Sequence, residues 1–197
     1  MASRIRRLAA PLLVLAVGVV ALATAAYLTL LPETRIVAPV SIGGPFTLVA
    51  QDGRTVTDRD FQGAPHLVFF GFTHCPDVCP TKLFELSEVL RATGDKGRGL
   101  RALFITVDPE RDTPDAMKQY VQSFDDRIVG LTGDRAAIDA VVRNYRAYAR
   151  KSPTKDGDYT MEHTAIVYLM GKDGRFVGSF NLDRAPAEAA QDLLRRL

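Results

Sequence analysis

Cysteine is scarce in this chain of 197 residues: Cys75 and Cys79 are the only two. Structural zinc sites usually take four protein ligands, often from two Cys-x-x-Cys pairs, and that pattern is absent. The roughly 155 residues from Gly43 onward can bury a core without disulfide staples. A structural bridge between the two cysteines would close a short loop and contribute about 2 kcal/mol at most. Both cysteines are therefore candidates for chemistry, with an inert disulfide as the alternative.

A basic excess is also lacking. Once Arg4, Arg6 and Arg7 are set aside, 22 basic residues (25 less 3) face 23 acidic ones. This balance leaves no electrostatic footprint for nucleic acid. The glycine-containing loop at 94–99 lacks the spacing of a phosphate loop. We find no internal repeat and no low-complexity tract.

The N-terminus has one long uncharged stretch, from Leu8 to Leu31. As a helix it would measure about 36 Å, enough to cross a bilayer core. The preceding arginines place the N-terminus in the cytoplasm under the positive-inside rule. The stretch is longer than a typical signal-peptide core, which favours an uncleaved transmembrane helix over residues 1–31. A signal peptide cleaved near Ala23-Thr24-Ala25 is the alternative, and both interpretations export the rest of the chain.

Residues 32–45 are rich in proline and glycine and are predicted to be a linker. From residue 46 to 197, apolar runs alternate with segments of helical periodicity, which predicts one α/β domain of three layers with a central mixed sheet. The predicted strands cover residues 46–50, 54–57, 67–72, 100–107, 128–131, 164–170 and 175–180. The predicted helices cover residues 80–90, 114–124, 134–148 and 186–197.

Cys75 and Cys79 lie between an apolar strand and a helical pattern. Proline suits the first turn of a helix, so the helix is expected to begin at Pro80 with Cys79 near its N-cap. Backbone N–H groups and the helix dipole favour negative charge there. We therefore expect lowered thiol pKa values and thiolates that are available for a metal or for disulfide exchange.

Three histidines could add a nitrogen ligand to the two sulfurs. His163 lies just before a predicted buried strand whose edge could present it to the cysteines. His66 opens the preceding strand at its far end, and His74 is adjacent to Cys75, where neighbouring side chains tend to diverge. Each of the three could instead be an ordinary structural histidine. Soft thiolates select Cu(I) and an imidazole also suits Cu(II), whereas a blue-copper site would use one cysteine only.

Three ordered motifs resemble those of the Sco/SenC family, whose members are membrane-anchored, thioredoxin-like copper chaperones for cytochrome c oxidase assembly. The motifs are FGFTHCPDVCP at residues 70–80, TVDPERDTP at 106–114, and DY at 158–159 followed by His163. The resemblance implies a thioredoxin-like fold and copper ligands at Cys75, Cys79 and His163. One departure is Glu162, because the family usually has Asp before the ligand histidine. A thioredoxin would have a proline where His163 stands.

The resemblance further implies that the chain delivers copper to the oxidase subunit that carries the dinuclear copper centre. It also implies a copper donor and a thiol reductant. The arginines and the uncharged stretch predict the location, a single pass through the bacterial cytoplasmic membrane with the C-terminal domain on the periplasmic side. A rival function is that of an enzyme, a thiol–disulfide reductase that acts on the oxidase subunit's cysteines through Cys75 and Cys79. That reductase would not need His163. Because both functions use Cys75 and Cys79, the sequence leaves open whether the chain is an enzyme.

The second motif places Asp108 at the edge of the sheet where the cysteines are expected. A turn cap before Pro109 is the favoured role for Asp108, and tuning of the thiols or partner docking is the alternative. Arg111 and Asp112 are expected to form a local loop network. Phe69, Phe70 and Phe72 are expected in the core, with Phe72 and Pro76 able to exclude water from a bound metal.

Overall fold

The computed structural model of the protein describes residues 2–30 and 41–196. The chain divides into two compact units, Met1–Pro39 and Val40–Leu197. Most of the predicted linker, namely its residues 32–40, lies outside the described residues, so its assignment stays a prediction.

The first unit contains helix α1 (Ala2–Leu30). Within the described part of the chain, no helix combines the length and the hydropathy required to cross a bilayer. The structure therefore does not support the transmembrane helix predicted over residues 1–31.

The second unit alternates strands and helices. Its strands are β1 (Thr47–Ala50), β2 (Thr55–Thr57), β3 (His66–Gly71), β4 (Arg101–Thr106), β5 (Ile128–Thr132), β6 (Ala149–Pro153), β7 (Tyr159–His163), β8 (Val167–Met170) and β9 (Phe176–Ser179). Its helices are α2 (Val78–Ala92), α3 (Pro114–Val121), α4 (Arg135–Asn144) and α5 (Pro186–Leu194).

Seven strands form one sheet in the order β2-β1-β5-β4-β3-β8-β9. The central strands β3, β4 and β5 are parallel, and the pairs β1–β5, β3–β8 and β8–β9 are antiparallel. Every residue of β3 is buried, as expected for a strand covered on both faces of the sheet. The predicted α/β domain with a central mixed sheet is confirmed.

The parallel strands β3 and β4 end at the same edge of the sheet. Gly71 pairs with Thr106 in register, and the N–H of Val107 donates to the carbonyl of Gly71 at 2.8 Å. The loop with the cysteines, which follows β3, therefore lies beside the loop of the second motif, which follows β4. Loops at the carboxyl ends of parallel strands are where α/β folds place their functional groups.

The region between α4 and β8 differs from the prediction. The helix expected over 134–148 ends at Asn144, because Arg146 adopts a left-handed backbone with φ 54°. The N–H groups of Ala147 and Arg146 donate to the carbonyls of Val142 and Arg143, which is the Schellman arrangement that ends a helix. The chain then forms β6 and β7, which pair with each other in a separate two-stranded ribbon.

Candidate metal centre

The two cysteines lie where β3 passes into α2. The helix begins at Val78 and not at Pro80, so Cys79 and Pro80 are its second and third residues. Proline is tolerated there because the first four N–H groups of a helix lack intrahelical partners. The side chain of Asp77 makes no capping hydrogen bond. The N–H of Cys79 instead donates to the sulfur of Cys75 at 3.4 Å.

Both cysteines are free thiols, and they differ in exposure. Cys79 is fully buried, with 0% of its surface exposed, whereas Cys75 is partly exposed. Burial raises the pKa of the Cys79 thiol far above its usual range. The lowered pKa expected at the start of the helix is therefore wrong for Cys79, because the loss of hydration outweighs the backbone hydrogen bond at Phe72, which lowers the pKa. A metal that binds this sulfur has to displace a proton.

His163, the last residue of β7, reaches the same place from 84 residues further along the chain. Its Nε2 lies 3.6 Å from the sulfur of Cys79, and its Nδ1 lies 3.1 Å from the carbonyl oxygen of Thr164. A carbonyl only accepts, so Nδ1 carries the proton and the lone pair of neutral Nε2 faces the sulfur. Burial lowers the pKa of His163, which favours this neutral form.

Two aromatic rings lie beside the imidazole of His163. Phe69 and Phe72 meet it edge-on, with ring centroids 6.3 Å and 5.8 Å away. Both phenylalanines are almost fully buried, so they belong to the core as predicted. They also form an apolar wall beside the imidazole.

Cys75, Cys79 and His163 each offer one ligand atom, and the three atoms lie within 4.8 Å of one another. Among the described residues, this is the one cluster of at least three Cys, His, Asp or Glu side chains that could hold a metal ion. Two soft sulfurs and one imidazole match the preference of Cu(I), and the imidazole also suits Cu(II). The donor set lacks the fourth protein ligand that is typical of structural zinc.

The structure does not bring the other two histidines to the sulfurs. His66 is buried at the opposite end of β3, and its Nδ1 has no hydrogen-bond partner among the described residues. His74 is exposed, with its Nδ1 3.1 Å from the hydroxyl of Thr73. His163 is therefore the histidine that the geometry associates with the two cysteines.

Asp112 holds the loop that carries the cysteines. Its buried carboxylate accepts hydrogen bonds from the Thr73 hydroxyl at 2.6 Å, the Thr73 N–H at 3.1 Å and the Thr106 hydroxyl at 2.6 Å. Burial raises the pKa of Asp112, and the bonds from both threonines oppose that shift. The predicted local network of Asp112 thus extends to the cysteine loop, 39 residues away.

Asp108 combines two roles. Its backbone carbonyl accepts from the N–H groups of Arg111 and Asp112, so the chain turns here, but the turn cap predicted for the Asp108 side chain is wrong because its carboxylate bonds other side chains. Its buried carboxylate contacts the guanidinium of Arg111 and accepts a hydrogen bond from the hydroxyl of Tyr159 at 3.0 Å. Sequence analysis placed Tyr159 in the third motif but assigned it no role. Its position four residues before His163 was the one feature of the sequence that could have pointed to it.

Glu162, where the chain departs from the family pattern, points away from this cluster. Its carboxylate forms an exposed ion pair with Arg150 at 2.8 Å. That bond lowers the pKa of Glu162. The pair links the two strands of the ribbon on its outer side, and Glu162 is absent from the group of candidate metal ligands.

Comparison with known proteins agrees with this geometry. A family model described as SCO1/SenC matches residues 36–197. The mitochondrial protein SCO1 homolog of Mus musculus is 45% identical over 152 residues, covering 76% of this chain and 54% of the mouse protein. The SCO2-like protein of Rickettsia felis is 35% identical over 156 residues, covering 78% of this chain and 76% of that protein. The chain thus spans about half the length of the mouse relative.

Solved structures of two similar proteins contain copper. Bradyrhizobium japonicum ScoI with copper bound is 62% identical, with a TM-score of 0.77, covering 80% of this chain and 100% of that one. Yeast Sco1 with copper bound is 33% identical, with a TM-score of 0.72, covering 79% and 87% of the two chains. On the match of the family model and these relatives, the chain belongs to the SCO1/SenC family.

Proposed function

We propose that this protein is a copper carrier that binds copper through the sulfurs of Cys75 and Cys79 and Nε2 of His163. The observation that supports it is the convergence of these three atoms within 4.8 Å, from two elements far apart in sequence. The copper-bound structures of similar proteins support the same cargo. Copper is delivered onward, so it is the substrate of the protein and not a resident cofactor.

The chemistry of loading follows from the protonation of the ligands. His163 is neutral and needs to lose no proton, whereas the Cys79 thiol has a raised pKa and must lose one as the metal binds. Proton release on loading makes the copper affinity rise with pH. The apolar wall of Phe69 and Phe72 keeps the buried part of the site dry, which favours soft sulfur ligation over water.

The recipient and the location are part of the proposal. By the family resemblance, the recipient is the cytochrome c oxidase subunit that carries the dinuclear copper centre, and separate proteins supply copper and reductant. The location, membrane-associated on the outer side of the bacterial cytoplasmic membrane, rests on the arginines and the uncharged stretch of residues 4–31. Labelling of Cys75 in intact cells by a membrane-impermeant maleimide tests this location.

Copper titration of the reduced protein tests the carrier function. We expect one copper per chain and sulfur-to-Cu(II) charge-transfer absorption that disappears in Cys75→Ala. His163→Ala should lower the copper affinity strongly, since it removes one of three ligands. His74→Ala is the matched control, because His74 adjoins Cys75 but lies outside the group. Equal affinity in His163→Ala and the unaltered protein would refute the ligand set.

A second candidate function is thiol–disulfide reduction of the recipient. Both cysteines are free, and the N–H of Cys79 already donates to the sulfur of Cys75. In the exchange, the two thiols become a disulfide and give two electrons and two protons to a partner disulfide, which becomes two thiols. The same oxidation removes two copper ligands, so the redox state also controls loading.

His163→Ala separates the two functions. A carrier loses most of its copper affinity in this variant, whereas a reductase keeps its rate of exchange with a disulfide-bonded peptide of the recipient. An exchange rate that stays near zero in the reduced, unaltered protein would exclude the reductase.

A further inference from the structure

The candidate ligand His163 does not belong to the main sheet. It ends β7, and β7 pairs only with β6 among the strands that the structure describes. The distance from His163 to the cysteines therefore depends on how the ribbon is attached to the rest of the domain. We propose that Asp108, Arg111 and Tyr159, which we call the ribbon latch, fix the ribbon so that His163 is held against the two sulfurs.

Asp108 is the fixed point of the ribbon latch. Its carboxylate is fully buried in the loop that follows β4, one of the central strands. It accepts hydrogen bonds from Arg111 Nε on one oxygen and from the Tyr159 hydroxyl, at 3.0 Å, on the other. A buried carboxylate needs such partners, since it has no water to hydrate it. The ribbon is thus bonded directly to the edge of the main sheet.

Arg111 holds the ribbon at a second point. Its Nη1 donates to the backbone carbonyl of Tyr159 at 3.1 Å, and its guanidinium carbon lies 3.8 Å from the centre of the Tyr159 ring. Lys151 of β6 places its ammonium 3.6 Å from the same ring and pairs with Glu110 at 2.7 Å. Both strands of the ribbon are therefore attached to the loop of residues 108–111.

The attachment is transmitted to His163 along two short routes. Tyr159 and His163 are the two ends of β7, and alternation along a strand puts Tyr159, Met161 and His163 on one face. The guanidinium of Arg111 also lies 5.9 Å from the centre of the Phe72 ring, which in turn meets the imidazole of His163 edge-on at 5.8 Å. Arg111 therefore contacts both the ribbon and the wall beside His163.

The ribbon latch acts by positioning, since none of its members is a candidate ligand. This inference rests on the proposed copper function, because the ribbon latch is expected to change copper affinity only through the contribution that His163 makes to it. Outer residues that orient a ligand typically change metal affinity by 10- to 100-fold when mutated. Arg111→Ala is therefore expected to lower the Cu(I) affinity about 10-fold, with a smaller effect for Tyr159→Phe, which keeps the ring.

A double-mutant cycle with His163→Ala tests the inference, with Cu(I) affinity measured by competition with a chromogenic chelator. If the ribbon latch acts through His163, Arg111→Ala changes the affinity by less than about twofold once His163 is already alanine. Arg111→Lys should not restore the affinity, since an ammonium cannot bond Asp108 and the Tyr159 carbonyl as a guanidinium does. Amide hydrogen exchange of the metal-free Arg111→Ala protein should become faster in residues 149–163 than in β3 and β4.

Arg127→Ala is the matched control. Arg127 has a side chain 19% exposed against 17% for Arg111, and it also pairs with an aspartate nearby, Asp125. It contacts Thr93 and the carbonyl of Gly97 and not the ribbon. We expect it to alter stability without altering copper affinity or exchange in the ribbon.

Two results would overturn the ribbon latch. One is unaltered copper affinity in Arg111→Ala while His163→Ala binds copper poorly. The other is an equal loss of copper affinity on Arg111→Ala whether residue 163 is histidine or alanine, which would mean that Arg111 acts through the cysteines or the fold. If His163→Ala itself binds copper normally, the proposed ligand set fails first, and that result is distinct from either of the others.

Discussion

Gly71, the last residue of β3, packs its α-carbon against the candidate site. A methyl group at this position would lie 2.8 Å from the sulfur of Cys79 and 2.5 Å from the Phe104 ring. Both neighbours are fully buried and cannot move aside freely. Glycine is thus required here for space and not for its backbone freedom.

Gly71→Ala is expected to cost about 1–3 kcal/mol of unfolding free energy, the usual penalty for overpacking a core. It should also weaken copper binding, because the sulfur of Cys79 is displaced. Gly178→Ala is the control, since Gly178 lies in strand β9 with open space around it. Urea denaturation measures both variants, and equal stability of the two would disprove the tight packing at Gly71.

His66 predicts a pH dependence that is independent of copper. Burial lowers its pKa below the ordinary value of 6.5, so the unfolded state binds the proton more tightly than the folded state. The stability that the neutral imidazole contributes is present above pH 6.5 and is lost as the pH falls toward the lowered pKa. Urea denaturation of the metal-free protein at about pH 7.5 and about pH 5.5 should show this loss, and His66→Leu should reduce it.

At the scale of elements, the cysteine loop is fixed by Asp112 as much as by its own sequence. The carboxylate joins the loop to the end of β4, and the Asp112 carbonyl accepts from the Thr132 hydroxyl of β5 at 2.7 Å. A single residue thus connects three adjacent carboxyl-terminal strand ends. Loss of its side chain leaves buried hydroxyl and N–H donors without an acceptor.

Asp112→Ala should destabilise the domain by about 3 kcal/mol, the scale for lost hydrogen bonds to a buried charged group. Because Thr73 is released, Cys75 should also react faster with a thiol reagent in the metal-free protein. Asp134→Ala removes only the N-cap bond to Ala137 of α4, which costs about 1 kcal/mol and leaves thiol reactivity unchanged. Unaltered reactivity of Cys75 in Asp112→Ala would mean that the cysteine loop keeps its conformation without Asp112.

The elements that the sequence predicted are those with local signals. The apolar run of β3 and the leucine spacing of α2 identified both elements within two residues of their bounds. The β6–β7 ribbon was missed, because its strands are mostly polar and are stabilised by contacts such as Arg111 to Tyr159, 48 residues apart. The end of α4 was missed too, since arginine and not glycine occupies the left-handed position at residue 146.

At the scale of the whole molecule, the sequence predicted the mixed sheet and the edge that carries the site. Strand alternation and the hairpin of β8 and β9 were sufficient for that. Spacing alone left three histidines open as partners of the cysteines, and the family resemblance selected His163. The meeting of His163 with Cys79 spans 84 residues, so only the folded chain displays it.

Copper should stabilise the folded domain, because the three ligands are brought together only by folding. A ligand at 100 times its dissociation constant adds about 2.7 kcal/mol. For a domain of this size, that corresponds to a rise of roughly 5–10 °C in the melting temperature. Thermal unfolding of the reduced protein with and without Cu(I) measures the rise, and Cys79→Ser should remove it. An equal rise in Cys79→Ser would place the bound metal elsewhere.

The two sulfurs differ in exposure, so a partner can reach one of them before the other. Cys79 is buried in the first turn of α2, whereas Cys75 is partly exposed to solvent. On the proposed function, a partner protein therefore makes its first bond to sulfur at Cys75 and not at Cys79. Of the three candidate ligands, Cys79 alone is fully buried, so it is expected to gain the metal last and to give it up last, whereas Cys75 and His163 are both partly exposed.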